Sequence, residues 1–137
     1  MGNKMNEEIE EYLQSMGKKA VEYANSFDVV FSYSEKDVKD LEAILDYYSN
    51  DLKNTKDKPS KKQIYSMSLI WGSYLGELII KYINPKLSWV KEDVFGDGEI
   101  IHLQDGDTRI FPIDKVYKRL INGEEDSIIS FYDVIKK

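Results

Sequence analysis

The stretch Ile64–Ile83, IYSMSLIWGSYLGELIIKYI, constrains most strongly what this chain can fold into. At a helical period of about 100° per residue, apolar or small side chains cover almost its whole circumference. The polar side chains form a narrow stripe of Ser66, Ser73, Glu77 and Lys81. A helix that is apolar nearly all round is buried, so the pattern predicts a central core helix. Ser60 and Gln63 predict a capping box at its start.

This apolar run approaches the length of a membrane span, but Glu77 and Lys81 interrupt it. Inserting each charge costs roughly 2.5–3.5 kcal/mol, and two further helices with apolar faces need a partner, so we expect no membrane association. The N-terminal sequence MGNKMNEEIEEYLQ has no apolar segment behind its lysine and does not predict a secretory signal. The chain has no cysteine, which is compatible with the cytoplasmic location that we expect.

Composition bounds the class of protein. The chain has 137 residues, of which 42% are hydrophobic and 32% charged, and this predicts one globular α+β domain over residues 1–137. The net charge of −6 argues against binding to nucleic acid, because phosphates require a basic face. The basic cluster between Lys53 and Lys62 lies in a predicted linker and indicates a solvated loop.

Before the central helix, the sequence predicts two amphipathic helices. Residues 4–27 form the first, and the second begins at Ser34 with a stripe of Val38, Leu41, Ile44, Leu45, Tyr48 and Leu52. The segment Asp28–Tyr33 between them is short, apolar and rich in β-branched and aromatic residues. It is either an extended connector inserted into the core or a short edge strand, and the sequence does not decide between the two.

After Asn84-Pro85 the apolar period changes from 3.6 towards 2. The alternation predicts strands at 87–91, 99–104 and 107–111, and Asp105-Gly106 predicts a tight hairpin between the last two. Asp114 is expected to cap a helix over 115–121, and Glu125 with Asp126 to open a last short helix. The whole chain therefore predicts N-terminal helices including one central buried helix, a three-stranded antiparallel meander and two short C-terminal helices.

Two titratable residues are candidates for chemistry. Glu77 could act as a general base with a raised pKa, but Lys81 follows it by four residues, and this spacing favours a structural ion pair. His102 is the only histidine. By alternation it shares a face with Ile100 rather than with Ile101, which leaves open whether it points into the core. The sequence contains no catalytic motif around it, so a hydrogen-bonded or half-exposed strand residue is favoured.

Acidic residues are concentrated in the predicted hairpin region, at Glu92, Asp93, Asp97, Glu99, Asp105 and Asp107. Clustered oxygen ligands can bind calcium or magnesium, but neither Asp-Gly turn continues into an EF-hand loop. We therefore expect no metal and no cofactor. An acidic rim that meets a basic partner and a surface without a specific role both remain open. Gly72 and Gly76 predict a close approach by another element, for which Gly17 is a candidate counterpart.

The C-terminal half also resembles a known kind of domain. The residues that carry the resemblance are WGSYLGE at 71–77, Trp89, and FPIDKVYKRLINGEEDS at 111–127. They are similar to small uncharacterised bacterial domains, some of which belong to toxin-immunity and accessory proteins. The resemblance spans about 64–135, and residues 1–60 add nothing to it. It implies a fold and carries over no catalytic residue.

The leading hypothesis is a non-enzymatic interaction domain that binds a basic protein partner. Its expected contact residues are Trp89, Asp93, Asp97, Glu99, Asp105 and Asp107, with electrostatics setting the association rate and aromatic side chains the affinity. One alternative is a small-ligand or metal-dependent enzyme that uses Glu77, His102 and the hairpin acids. This alternative requires a buried Glu77 that faces a pocket away from Lys81. A homo-oligomeric structural subunit is a third alternative.

Overall fold

A computed structural model describes residues 3–137 of the protein, with side chains from Asn6 onward. Met1 and Gly2 lie outside the described residues. They begin the N-terminal segment in which the sequence predicts no secretory signal. The helices are α1 (Asn3–Ala24), α2 (Asp37–Asn54), α3 (Lys61–Tyr82), α4 (Pro112–Asn122) and α5 (Ile128–Lys136). The strands are β1 (Ser88–Glu92), β2 (Ile100–Asp105) and β3 (Thr108–Ile110). This order confirms the predicted α+β class.

Helix α3 is the predicted central helix. Its capping box is present: Ser60 Oγ accepts from Gln63 N, and Gln63 Oε1 accepts from Ser60 N at 2.8 Å. Buried side chains point from it in several directions, namely Ile64, Trp71, Tyr74, Leu75, Leu78 and Ile79. No helix within residues 3–137 is both long enough and apolar enough to cross a membrane.

The segment between α1 and α2 is a connector and not a strand. Asp28 and Tyr33 each have φ of 58°, a left-handed conformation that interrupts extended pairing. Between them Phe31 is buried and stacks on Tyr74 with ring centroids 4.4 Å apart.

The prediction that α2 begins at Ser34 is wrong. The helix begins at Asp37, whose Oδ2 accepts from Ser34 N at 3.0 Å and holds the chain in a turn ahead of the helix.

The three strands form an antiparallel sheet in the order β1-β2-β3. Trp89 pairs with Leu103, and Leu103 pairs with Ile110, so these three residues share the face that packs on the helices. Gly106 occupies the first central position of the tight turn between β2 and β3 with φ of 59°. Glycine adopts this conformation without strain, which confirms the predicted hairpin.

The close approach predicted at Gly72 and Gly76 is present, but Gly17 is not the counterpart. A Cβ added at Gly72 would lie 2.7 Å from Ile113 Cα, so the glycine lets α4 cross directly over α3. Helix α4 also begins earlier than predicted, with Pro112 in its first turn and Phe111 at the cap position. Asp114 is therefore not a cap. Proline is favoured at a helix start because its missing N–H has no partner there.

The last helix, in contrast to α4, begins later than predicted. Glu125 and Asp126 belong to a short 3-10 turn, and α5 starts after Ser127, whose side chain accepts from Ser130 N. Ser127 caps α5 because a serine oxygen can accept from an N–H of the first helical turn. Helices α4 and α5 together close one side of the core, where Leu120 and Ile128 are buried.

Candidate functional site

The loop between β1 and β2, residues 93–99, presents acids to solvent. Asp93 Oδ1 accepts a hydrogen bond from Gly96 N at 2.6 Å, as aspartates do in turns. Gly96 and Gly98 have φ of 83° and 109°, which favours glycine at both positions. The loop conformation leaves Asp93, Asp97 and Glu99 exposed.

Phe95 lies in the middle of this loop with 67% of its surface exposed. Its ring centroid lies 5.7 Å from that of Phe111, the residue before α4, at an interplanar angle of 34°. We define the acidic hairpin surface as Asp93, Phe95, Asp97 and Glu99. Among the side chains of residues 6–137, none of its three carboxylates forms an ion pair with a lysine, an arginine or the histidine.

The remaining predicted acids lie elsewhere. Asp105 and Asp107 lie at the opposite end of β2, roughly 17 Å away at the rise of an extended strand. Asp107 is exposed, whereas Asp105 Oδ2 accepts from Asn84 Nδ2 at 3.0 Å and ties the hairpin to the end of α3. The predicted acids are therefore two separate groups, because consecutive turns of a meander lie at opposite ends of the sheet.

Trp89 does not belong to a surface. Its side chain is 1% exposed and packs against Gly76 of α3. Its indole Nε1 donates to Glu77 Oε2 at 3.0 Å, so even the polar end of the ring is used inside the protein. The expectation that Trp89 contacts a partner is wrong, since β1 turns this residue towards the helices. Phe95, six residues later, is the exposed aromatic residue of this region.

The predicted ion pair between Glu77 and Lys81 is also wrong. Lys81 Nζ donates to the carbonyl oxygen of Tyr33 at 2.8 Å, and Glu77 binds Trp89 instead. Burial raises the pKa of Glu77 above its ordinary value, and the nearby carboxylate of Glu10 raises it further. The hydrogen bond from Trp89 opposes this shift, but desolvation is the larger effect.

His102 is completely buried on the sheet face opposite to Trp89. Its ring stacks on Phe111 with centroids 5.1 Å apart, and its nitrogens lie 3.1 Å from the Ile100 carbonyl oxygen and from Gln104 Oε1. The pairing of His102 with Val90 places it on the face away from α3. The structure therefore does not bring His102 and Glu77 together. No cluster of three acidic or histidine side chains suited to a metal occurs in the described part of the chain.

The structure also contains an aromatic cluster that the sequence analysis did not identify. Tyr23, Phe27, Tyr47 and Tyr48 converge beside Trp71, with neighbouring ring centroids 5.4 to 6.4 Å apart. Tyr23 and Tyr47 are exposed. The one local signal was the Tyr47-Tyr48 pair, because adjacent residues on a helix cannot both face the core.

A buried arginine was likewise not identified. Arg119 has no exposed surface, and its guanidinium binds Glu42 at 3.0 Å and Asp46 at 2.7 Å. Glu42 uses its other oxygen to accept from Ile128 N at 3.0 Å. This network joins α2, α4 and α5 and is a structural element of the core rather than a surface for a partner.

Comparisons with known proteins give no relative from which a role could be transferred. No family model matches the chain, and neither a curated protein nor a solved structure matches it.

Proposed function

We propose that the chain is a non-enzymatic interaction domain that binds a basic protein partner through the acidic hairpin surface. The observation that carries this proposal is Phe95, an aromatic ring exposed by 67% among three carboxylates without ion-pair partners. Interfaces are organised in this way, with aromatic anchors that become desolvated and a charged rim around them. The chain would act in the cytoplasm by binding its partner stoichiometrically, in the way that an immunity protein blocks a toxin.

The local charge supports a basic partner. The segment 92–99 contains four carboxylates and no lysine, arginine or histidine, in a chain whose net charge is already −6. Exposed charges of one sign raise the rate at which an oppositely charged surface associates, and salt screens this effect. The partner is thus expected to carry lysine or arginine side chains around an apolar pocket that accepts the phenyl ring of Phe95.

The test compares surface variants with a control of equal charge. Tagged wild type captures proteins from the lysate of its native host at low and moderate salt, and mass spectrometry identifies a basic protein. Association of the purified partner is then measured with the Asp93→Lys/Asp97→Lys and Phe95→Ala variants. Glu7→Lys/Glu11→Lys is the matched control, because both residues are exposed on α1 and the net charge changes equally.

We expect Asp93→Lys/Asp97→Lys to slow association about tenfold and to flatten its salt dependence. Phe95→Ala should weaken affinity by about tenfold through faster dissociation, as loss of an aromatic anchor does. The control should behave as wild type apart from a small general charge effect. The proposal is refuted if the partner binds all variants alike, or if no basic protein is captured at low salt.

A further inference from the structure

A second surface feature, on the helical face of the sheet, is an apolar groove of about 430 Å³. It lies between the first turn of α3, the start of β2 and the first turns of α4. Its apolar lining comes from Tyr65, Ile100, Ile101, Ile113 and Tyr117. Small-molecule sites have volumes of this order and are lined mainly by apolar and aromatic side chains.

The groove exists because β3 is short. Its pairing with β2 covers only Leu103 to Asp105, so Ile100 and Ile101 have no third strand beside them. Helix α4 lies there instead, and Gly72 fixes its distance from α3, since Ile113 Cα lies 2.7 Å from where a Cβ would be. Regular elements thus hold both walls, and the groove is present before any ligand enters.

The groove has an excess of unpaired positive charge. Lys61 and Lys62 line it and are solvent-exposed, and neither amine forms an ion pair or hydrogen bond within the described residues. The one lining carboxylate, Asp114, is already paired with Lys118 Nζ at 3.1 Å. An apolar groove beside two free ammonium groups is complementary to a molecule that has an apolar body and an anionic head.

We propose that the groove binds a small amphiphilic carboxylate of the fatty-acid type. Its alkyl chain lies on Ile101 and Ile113, and its carboxylate lies between the amines of Lys61 and Lys62. The site is distinct from the acidic hairpin surface in both charge and residues, so its test does not depend on the protein partner.

The experiment uses decanoate and decanol below the concentrations at which they aggregate. Binding to the full chain is followed by titration calorimetry and by NMR shifts of the groove residues. The variants are Lys61→Gln/Lys62→Gln and Ile101→Trp, the second of which fills the groove because residue 101 shares the sheet face of Trp89 and Leu103. Lys18→Gln/Lys19→Gln is the matched control, an adjacent exposed pair on α1 with the same change of charge.

We expect saturable one-to-one binding of decanoate with a Kd below about 1 mM and shifts confined to the groove. Lys61→Gln/Lys62→Gln should weaken decanoate about tenfold and leave decanol unchanged, because two surface charge contacts are lost. Ile101→Trp should abolish binding of both, and the control should bind as wild type. The proposal is overturned if decanoate does not bind, if the glutamine variant binds it equally, or if light scattering shows a dimer that Ile101→Trp dissociates.

Discussion

The indole of Trp89 lies against Gly76 with no room for a further carbon atom. A Cβ added at Gly76 would be 2.2 Å from Cζ2 and 2.3 Å from Cη2 of the indole. Both atoms belong to the six-membered ring of a side chain that is only 1% exposed. We therefore expect Gly76→Ala to destabilise the protein, although alanine is the better residue for a helix.

The magnitude follows from two opposing contributions. Alanine in a helix interior is favoured over glycine by about 1 kcal/mol. Overpacking a core costs about 1–3 kcal/mol, and a contact as short as 2.2 Å indicates the upper end of that range. The free energy of unfolding should consequently fall by about 2 kcal/mol. In a Trp89→Phe background the two clashing atoms are absent, and the same change should stabilise by up to about 1 kcal/mol.

Urea unfolding followed by far-UV circular dichroism measures this double-mutant cycle. The coupling energy between Gly76→Ala and Trp89→Phe should be about 3 kcal/mol, which is the upper limit for residues in contact. Gly17→Ala is the matched control, because its Cβ would meet only Tyr33 Oη at 3.6 Å, and it should stabilise by about 0.5–1 kcal/mol. The reasoning is refuted if Gly76→Ala costs nothing in the wild type or costs the same in both backgrounds.

Two further predictions concern buried charges. Arg119→Met should lower the free energy of unfolding by about 2 kcal/mol in urea titrations, because Glu42 and Asp46, whose side chains are 17% and 39% exposed, lose their hydrogen bonds to the guanidinium and are only partly resolvated. Burial raises the pKa of Glu77 in the folded state, so the folded protein binds that proton more tightly and loses stability as pH rises from the ordinary value of 4.5. Glu77→Gln, which can still accept from Trp89, should remove this loss. Its stability relative to wild type should therefore increase with pH and become constant above the folded pKa.

Each of these two predictions, for Arg119 and for Glu77, has a result that would contradict it. Lys118→Met removes a cation from the exposed side of the same helix, where its pair with Asp114 should contribute less than about 0.5 kcal/mol. If Arg119→Met costs no more than Lys118→Met, the buried network does not stabilise the fold. If the stability difference between Glu77→Gln and wild type is the same at every pH, burial does not shift the ionisation of Glu77.

Local signals in the sequence were sufficient to predict most of the helices, strands and turns. The all-round apolar pattern with Ser60 and Gln63 predicted α3 and its cap, and Asp105-Gly106 predicted the hairpin turn. These features depend on a few neighbouring residues and on the φ angle of one glycine. The exposure of Asp93, Asp97 and Glu99 also followed locally, because aspartate and glycine in a short connection remain in water.

The sequence by itself therefore determined the order of helices and strands and the presence of an acidic loop. Tertiary structure alone decided that Trp89 faces α3, that Glu77 binds it instead of Lys81, and that His102 lies on the other face. An alternating strand has two faces, and its own residues do not specify which one the helices will cover. That choice is made by packing between distant segments, where Gly76 leaves the space that one tryptophan ring fills.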